Sequence, residues 1–351
     1  MEQPRRIRRL HSKTRTGCST CKQRRVKDFC GLQLDELELL FHFTTATSAT
    51  VTGGDKFTAK VVEVELPRLA VCNDFLMRAV LAISAMHMAS RCQDETRAHS
   101  LVSRAIKHHN IGICGSANMM PLLNETNCAA LYCFTALTSV LSLALVRYTP
   151  RDSSSSSSPH PRRCLFDWLD HVRGAGTIII HARPWLASSV FAPMISYNPD
   201  TIVPFLTSQP SSSRLPALHL SYADEQHLRS IRHFFVRELG GMAPAKLNVL
   251  LDALEELTKS CVAADNLGRT SRTALRAVFC FAGLVSEDFM ALLRQRDACA
   301  LLVFAHFAVL LQRLRGLWWL DGLGRMLVEE IHESLAPEYR EYMRWPMAEV
   351  Q

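Results

Sequence analysis

The sequence has few of the patterns that build β-structure. Alternating apolar and polar runs bounded by turns, which are typical of strands, are nearly absent from its 351 residues. No internal repeat is visible, so a solenoid or a propeller is not expected. Apolar residues recur instead at three- and four-residue steps along most of the chain, as they do in amphipathic helices. The sequence therefore predicts an all-α fold.

Patterns that carry catalysis are also missing. The segment Glu329–Glu333 reads E-E-I-H-E and lacks the H-E-x-x-H order of a zinc protease helix. The R-G-A-G-T at 173–177 has two glycines but no preceding strand and no full nucleotide-binding pattern, so we expect a break between helices there. Histidines without metal-ligand spacing are interpreted as structural residues: His87, His108, His109, His181 and His306. The chain is not expected to be an enzyme.

A signal peptide and a membrane span are not predicted either. No apolar stretch follows the basic start of the chain. The two most apolar stretches, 131–146 and 298–311, are near or below the length that spans a bilayer, and Thr135 and His306 are among the polar residues that interrupt them. We expect both to be buried core helices. The twelve cysteines mostly stand alone in the sequence, as free thiols do in proteins of a reducing compartment.

Positive charge is concentrated in one arm of the chain. Hydrophobic residues make up 48% of the sequence, which is enough for a large core. Residues 1–27 carry ten Lys and Arg against a single Glu, so the rest of the chain is slightly acidic although the net charge is +7. Such an arm indicates nucleic-acid contact or nuclear import, for which R-R-I-R-R at 5–9 is suited. A tail that only increases solubility is the alternative.

Residues 17–27 read G-C-S-T-C-K-Q-R-R-V-K and combine a candidate metal site with a basic run. Cys18 and Cys21 have the spacing that lets two thiolates bind one tetrahedral metal ion, usually zinc. The cations that follow are suited to neutralising the phosphates of a nucleic acid. They are Lys22, Arg24, Arg25 and Lys27.

This segment resembles the first half of the DNA-binding module of the fungal six-cysteine zinc-cluster, or Zn(2)-Cys(6), transcription factors. In that family six cysteines hold two zinc ions. The resemblance implies that Arg24 and Arg25 contact base edges of double-stranded DNA, and that Lys22 and Lys27 contact backbone phosphates. It also implies a zinc cofactor and a location in the nucleus.

The resemblance to the zinc cluster ends after Lys27. The family pattern has its third cysteine at position 28, where this chain has Asp28, and the next thiol is Cys30. The chain then continues into L-D-E-L-E-L-L-F, which resembles the opening of the family's regulatory domain. Two interpretations remain: one zinc ion bound by Cys18, Cys21 and Cys30 with His11 as a candidate fourth ligand, or a disordered or partly folded basic remnant of the cluster.

We divide the chain into a basic arm at 1–31 and an all-helical domain at 32–351. Helices are predicted at 34–45, 68–91, 94–113, 127–147, 163–186, 223–239, 243–264, 271–282, 285–295, 297–315 and 322–335. Gly112 and Gly115 are interpreted as stop signals. The Thr-, Ser- and Gly-rich segment 46–62 is expected to be a loop or an irregular extended piece. Ser153–Ser158 is expected to be a mobile loop, and 193–216 a Pro- and Ser-rich surface stretch.

Long phrases of this helical region also carry a resemblance. F-L-M-R-A-V-L-A-I-S-A-M-H-M-A at 75–89, N-C-A-A-L-Y-C-F-T-A-L at 127–137 and A-H-F-A-V-L-L-Q-R-L-R-G-L-W-W-L at 305–320 resemble the regulatory domain of the family's sterol-uptake-control branch. The resemblance implies a helical bundle that forms a homodimer. It also implies an apolar pocket for a lipophilic ligand such as a sterol, through which lipid level is coupled to transcription.

The sequence offers candidates for such a pocket. Trp318 and Trp319, together with Phe304, Phe307 and Leu311 on a helical face upstream, either line it or are ordinary core side chains. Two functional hypotheses follow. The chain is a DNA-binding regulator with a ligand-sensing helical domain, or it is a truncated regulator that lacks specific DNA binding and acts as a helical dimerisation and effector module.

The number of thiols in the basic arm predicts the metal content of the protein. Because a structural zinc site needs four ligands, the purified full-length chain should contain well below two zinc ions per molecule. Inductively coupled plasma mass spectrometry on a sample of known protein concentration measures this ratio. Any bound zinc should be lost in Cys18→Ser/Cys21→Ser and retained in the control Cys72→Ser. A ratio of two would contradict the interpretation of the Asp28 junction.

Overall fold

A computed structural model of the chain describes residues 34–52, 56–148, 164–195, 220–239, 243–267, 279–314 and 316–351. Within these ranges the regular elements are helices and no strand occurs, which confirms the all-α prediction. By their contacts, residues 39–351 group into one unit, and the residues up to Glu38 are assigned to another. The division at residue 31 stays a prediction. The zinc-cluster remnant and Ser153–Ser158 lie outside the described residues.

The helices of the first half of the chain are α1 (Leu34–His42), α2 (Ser48–Val51), α3 (Lys56–Lys60), α4 (Leu66–Val71), α5 (Asp74–Arg91), α6 (Glu95–Met119), α7 (Cys128–Val146), α8 (Cys164–Ala187) and α9 (Ala192–Ile195). Two π-helical turns, Phe43–Thr47 and Val61–Glu65, follow α1 and α3. A 3₁₀ turn, Met120–Leu122, follows α6.

The helices of the second half are α10 (Tyr222–Leu239), α11 (Pro244–Leu267), α12 (Glu287–Arg294), α13 (Ala298–Arg313), α14 (Leu323–Ser334), α15 (Pro337–Arg340) and α16 (Arg344–Glu349). A further helical stretch at 279–284 precedes α12. A 3₁₀ turn, Glu341–Met343, joins α15 to α16.

Side-chain caps fix the starts of several helices that the apolar periodicity predicts. At the start of α6, Oδ1 of Asp94 accepts hydrogen bonds from the backbone N–H groups of Thr96 at 2.9 Å and Arg97 at 3.2 Å. Ser286 and Asp297 cap α12 and α13 in the same way. Such a cap satisfies N–H groups that the helix itself leaves unpaired, and each contributes about 1 kcal/mol.

The core is built around two helices that are apolar on nearly every side. All side chains from Cys299 to Leu311 in α13 are buried, and most of α7 is buried. The amphipathic helices cover them: α7 packs against α5 and α8, and α13 against α11 and α14. By length and composition α7 could cross a membrane, but 72% of its apolar window is buried inside the protein. The prediction that 131–146 and 298–311 are core helices is confirmed.

Two local predictions are wrong. The segment 46–62 is mostly helical in its described parts, because α2, α3 and parts of both π-helical turns occupy it. Residues 173–177 continue within α8 and do not break it. In α1, Leu39 is buried, whereas Leu34, Leu37 and Phe41 are exposed.

The predicted end of α6 is also wrong, for a reason that lies in packing. The helix continues through Gly112 and Gly115 to Met119. A Cβ atom on Gly112 would lie 2.8 Å from the ring of Phe134, and one on Gly115 would lie 2.9 Å from Cβ of Phe75. These glycines therefore allow α6 to approach its neighbours closely. The sequence alone does not distinguish this role from a helix stop.

Gly324 makes the tightest of these close approaches and gives a test of the packing between α13 and α14. A Cβ atom at this position would lie 2.5 Å from the backbone oxygen of Ala308 and 2.6 Å from Cβ of Gln312. Because the obstacle includes backbone, we expect Gly324→Ala to lower the free energy of unfolding by about 1–3 kcal/mol.

The matched control is Gly176→Ala in α8, where no heavy atom beyond the adjacent residues and backbone of its own helix lies within 4 Å of the added Cβ. Removing a helical glycine there should raise the free energy of unfolding by about 0.5–1 kcal/mol. Urea denaturation of the full-length variants followed by circular dichroism measures both changes. Equal effects of the two substitutions would contradict the assignment of Gly324 as a packing residue.

Candidate functional site

The residues predicted to bind zinc and DNA lie outside the described part of the chain. They are Cys18, Cys21 and Cys30 for the metal, and Lys22, Arg24, Arg25 and Lys27 for DNA. Three thiols do not fit a cluster in which six thiolates hold two zinc ions, so no such cluster is assigned. Among the described residues, no group of three or more His, Cys, Asp or Glu side chains is placed to bind a metal ion.

The aromatic residues proposed for a pocket belong to the core. Phe304, Phe307 and Leu311 are fully buried in α13, and Trp319 is buried nearby. Phe307 stacks on Phe281 with ring centroids 4.5 Å apart. The interpretation as ordinary core side chains is therefore favoured for these four residues.

Trp318 lies in a different environment from its neighbour Trp319. Its ring stacks on that of His87 with centroids 5.0 Å apart. Its indole N–H donates a hydrogen bond to Oγ1 of Thr50 at 2.9 Å. Trp318 therefore connects the segment before α14 to both α5 and α2.

A half-open cavity of about 140 Å³ lies between the short N-terminal helices and α7. Its polar lining atoms are few, and none of its described lining residues is charged. The described residues that line it are Val51, Thr52, Thr58, Val62, Leu66, Cys133, Ala136, Leu137, Val140 and Met194. This cavity is a candidate for an apolar ligand.

One face of α7 forms the floor of the cavity. Cys133, Ala136, Leu137 and Val140 recur at three- and four-residue steps and so lie on one side of the helix. Sequence reasoning missed these residues because α7 is apolar nearly all round, so no single face stands out. The opposite wall falls in the segment predicted to be a loop.

Two local features complete the walls of the cavity. The hydroxyl of Tyr132 donates a hydrogen bond to the backbone oxygen of Met194 at 3.2 Å, which holds α9 against α7. Burial raises the pKa of the Cys133 thiol well above its ordinary value. The thiol is therefore uncharged at neutral pH and contributes a small apolar surface.

His87 contacts the segment 46–62, which forms the wall of the cavity opposite α7. Its Nδ1 is 3.0 Å from Oγ1 of Thr47 and 3.3 Å from Nε2 of His42. The pKa of His87 is lowered from 6.5 to about 4. Burial is the largest cause, and the charges of His42 and Arg91 contribute to the same shift. A neutral His87 therefore joins the π-helical turn after α1 to α5 at physiological pH.

Two other buried histidines are held neutral in the same way. Burial, with a contribution from His171, lowers the pKa of His109 to about 4. Burial also lowers the pKa of His306 to about 4, although its hydrogen bond with the backbone oxygen of Leu302 acts in the opposite direction. The ring of His306 stacks on Trp345 with centroids 5.1 Å apart. The prediction that these histidines are structural agrees with their burial, whereas His181 is exposed.

Comparison with known proteins gives relatives over most of the chain, whereas no family model matches it. The chain is 24% identical to the sterol uptake control protein 2 of Candida albicans, over 86% of this chain and 40% of that protein. It is 22% identical to a Zn(2)-C6 fungal-type transcription factor of Gibberella zeae, over 90% of this chain and 62% of that protein. It is 25% identical to the Zn(2)-C6 fungal-type transcription factor afumD of Aspergillus fumigatus, over 85% of each chain.

The chain is thus similar to fungal transcription factors along almost its full length. It spans about two fifths of the Candida albicans protein and less than two thirds of the Gibberella zeae protein. The similarity supports the resemblance seen in the helical region. It does not address the truncation of the zinc cluster.

The buried histidines predict how stability depends on pH. Their pKa values of about 4 lie below the unfolded value of 6.5, so the unfolded chain binds more protons between these values. Their contribution to stability is fully present above pH 6.5 and is lost as the pH falls towards 4. We therefore expect the urea midpoint of unfolding to decrease steeply over this window.

A single substitution measures the contribution of one of these histidines to the pH dependence of stability. His306→Gln should make the pH dependence shallower between pH 6.5 and 4, because one proton fewer is taken up on unfolding. The control is His181→Gln in α8, whose side chain is exposed to water in the folded protein. It should leave the pH dependence unchanged. If the slope of His306→Gln equals that of the wild type, His306 does not contribute to the acid sensitivity.

Proposed function

We propose that this protein is a fungal regulator of transcription by RNA polymerase II, in which a basic arm contacts DNA and a helical domain senses a lipophilic ligand. The observation that carries the proposal is similarity over 85–90% of the chain to proteins named as sterol uptake control proteins and Zn(2)-C6 fungal-type transcription factors. The nucleus is the proposed location. No catalytic role is proposed.

The basic arm supplies the contact with double-stranded DNA. Lys22 and Lys27 neutralise backbone phosphates, which gives affinity that falls as salt rises. Arg24 and Arg25 contact base edges, and such contacts carry sequence preference. One zinc ion bound by Cys18, Cys21 and Cys30 is the metal that this donor set would support.

The helical domain supplies the regulation. The apolar cavity between α2 and α7 supports binding of an uncharged, lipophilic molecule, and a sterol is the class suggested by the name of the Candida albicans relative. The domain also mediates homodimerisation in this proposal, as the family resemblance implies.

The second candidate is a truncated regulator without specific DNA binding. Asp28 stands where the family pattern has its third cysteine, and only Cys30 follows before the helical region. Because a short helix without tertiary support is marginal in water, the arm would then attract DNA of any sequence. The protein would act as a helical dimerisation and effector module.

Selection from a random pool of duplexes with the full-length protein separates the two candidates. If the first is correct, a preferred sequence emerges, and Arg24→Ala/Arg25→Ala weakens binding to it by about tenfold or more while binding to a scrambled duplex changes less. The matched control Arg8→Ala/Arg9→Ala removes the same charge and should weaken both duplexes equally.

Two results would count against the DNA-reading proposal. Equal loss on preferred and scrambled duplexes in Arg24→Ala/Arg25→Ala would show that this pair does not contact bases. Failure to enrich any sequence, with salt-dependent binding to all duplexes, would favour the truncated regulator.

A further inference from the structure

We propose that the exposed face of α6 is a docking surface for the same face of a second copy of this chain, and that the two helices pair antiparallel about a two-fold axis. The inference rests on the proposed homodimerisation and assigns it to particular residues. It follows from apolar side chains that lie in water and from the order of the charges along the helix.

The outer face of α6 is apolar. Ile106, Ile111 and Ile113 are between 39% and 42% exposed, and the small side chains of Cys114 and Ala117 are exposed beside them. These positions follow one another in steps of three, four and seven residues, so they share one side of the helix. At 1.5 Å per residue, the face is about 16 Å long between Ile106 and Ala117.

The fold of the single chain does not account for this face. The opposite side of α6 already packs on the core, where Leu101 and Ala105 are buried and Gly112 closely approaches Phe134. The outer face of an amphipathic helix is normally polar and charged. Isolated apolar residues on a surface need no explanation, but adjoining ones indicate an interaction site.

The absence of charge on the face selects the partner. Between Lys107 and Glu125 the chain has no Asp, Glu, Lys or Arg, and His108 and His109 are buried. An acidic or basic partner would therefore find no opposite charge along this stretch. In a two-fold dimer the same surface is used by both copies, and an uncharged face meets its own copy without repulsion. A second copy of this chain is the occupant that fits.

The charges at the two ends of the stretch set the direction of the pair. Lys107 is exposed in α6, and Glu125 is exposed in the turn that follows it. Antiparallel helices bring Lys107 of each copy towards Glu125 of the other, whereas parallel helices would bring like charges together. The midpoint in sequence is Ser116, and the exposed side chains next to it, Cys114 and Ala117, are small. Small side chains allow two helix axes to approach to about 8 Å.

The flank of the face carries a balanced pair of charges. Nε of Arg78 in α5 lies 3.5 Å from Oδ1 of Asp74, and Nη1 of Arg78 lies 3.4 Å from Nδ1 of His108 in α6. The charges of Asp74 and Arg78 cancel, so this flank adds no net repulsion between two copies. A charged rim around an uncharged apolar centre is the usual arrangement of an interface.

Sedimentation equilibrium of the full-length protein tests the surface. We expect a concentration-dependent dimer whose dissociation constant rises at least about tenfold in Ile113→Asp, because the new carboxylate would be buried without a partner. The matched control is Ile180→Asp in α8, which makes the same chemical change at a side chain that is 75% exposed. It should leave the dissociation constant unchanged. Circular dichroism verifies that both variants are folded.

A reversal of charge tests the antiparallel direction with substitutions at exposed positions only. Lys107→Glu and Glu125→Lys should each weaken the dimer by about threefold or more, because each brings like charges together at both ends of the pair. The double variant Lys107→Glu/Glu125→Lys should restore the dissociation constant of the wild type. In a parallel pair no such rescue would occur.

Cross-linking tests the centre of the pair. In the antiparallel arrangement the two Cys114 residues lie about 6 Å apart along the helix axes, so a short bis-maleimide should join them. A link between two Cys114 residues can only connect two chains, and mass spectrometry of the linked peptides identifies it. The link should be absent from Cys114→Ser and reduced in Ile113→Asp.

The outcomes separate this inference from the proposed function. A wild-type dimer that Ile113→Asp leaves unchanged overturns the α6 surface, and homodimerisation stands. A wild type that stays monomeric at all concentrations overturns both the surface and homodimerisation. Failure of the double reversal to restore the dimer, or a dimer without the link between two Cys114 residues, overturns the antiparallel pair. The selection of DNA sequences tests DNA reading separately.

Discussion

The fold depends on the burial of two helices that have almost no polar face. An amphipathic helix needs cover on one side, but α7 and α13 must be covered on nearly all sides, because each apolar side chain left in water costs about 1.5–3 kcal/mol. The helices α5 and α8 pack against α7, and α11 and α14 pack against α13. The close approaches at Gly112 and Gly324 serve the same requirement by bringing covering helices nearer.

Polar groups within this core are neutral or paired. His87, His109 and His306 are held uncharged by burial. Asp224 is 1% exposed in α10 and accepts two hydrogen bonds from Arg313, at 2.6 and 2.9 Å. Burial opposes the charge of Arg313, but its hydrogen bonds with Asp224 and Glu349 outweigh this effect and raise its pKa. Removal of one partner would leave a buried charge, so this pair ties α10 to α13.

The sequence predicts most of the helical fold and little of the candidate cavity. Apolar periodicity locates the long helices, because a 3.6-residue repeat is a local property of the chain. It does not locate α2 and α3 within the Thr-, Ser- and Gly-rich segment 46–62, where α2 is held by tertiary contacts such as that of Trp318 with Thr50. A cavity is defined by where side chains of distant segments fail to meet. Cys133 and Val51 line the same space, but no local pattern relates them.

The question of DNA specificity depends on what positions Arg24 and Arg25. In a complete zinc cluster, the metal ions hold the helix that carries such residues before DNA is encountered. Three thiols supply too few ligands for two ions. In the interpretation of the arm as a disordered remnant, base contacts require the helix to become ordered on binding, at an entropic cost of about 1–2 kcal/mol per residue. The attraction of the positive charges of the arm to DNA phosphates does not require this ordering, and it acts equally on all duplexes. A partial cluster therefore loses selectivity before it loses affinity, and the ratio of preferred to scrambled binding is the quantity that distinguishes the two proposed functions.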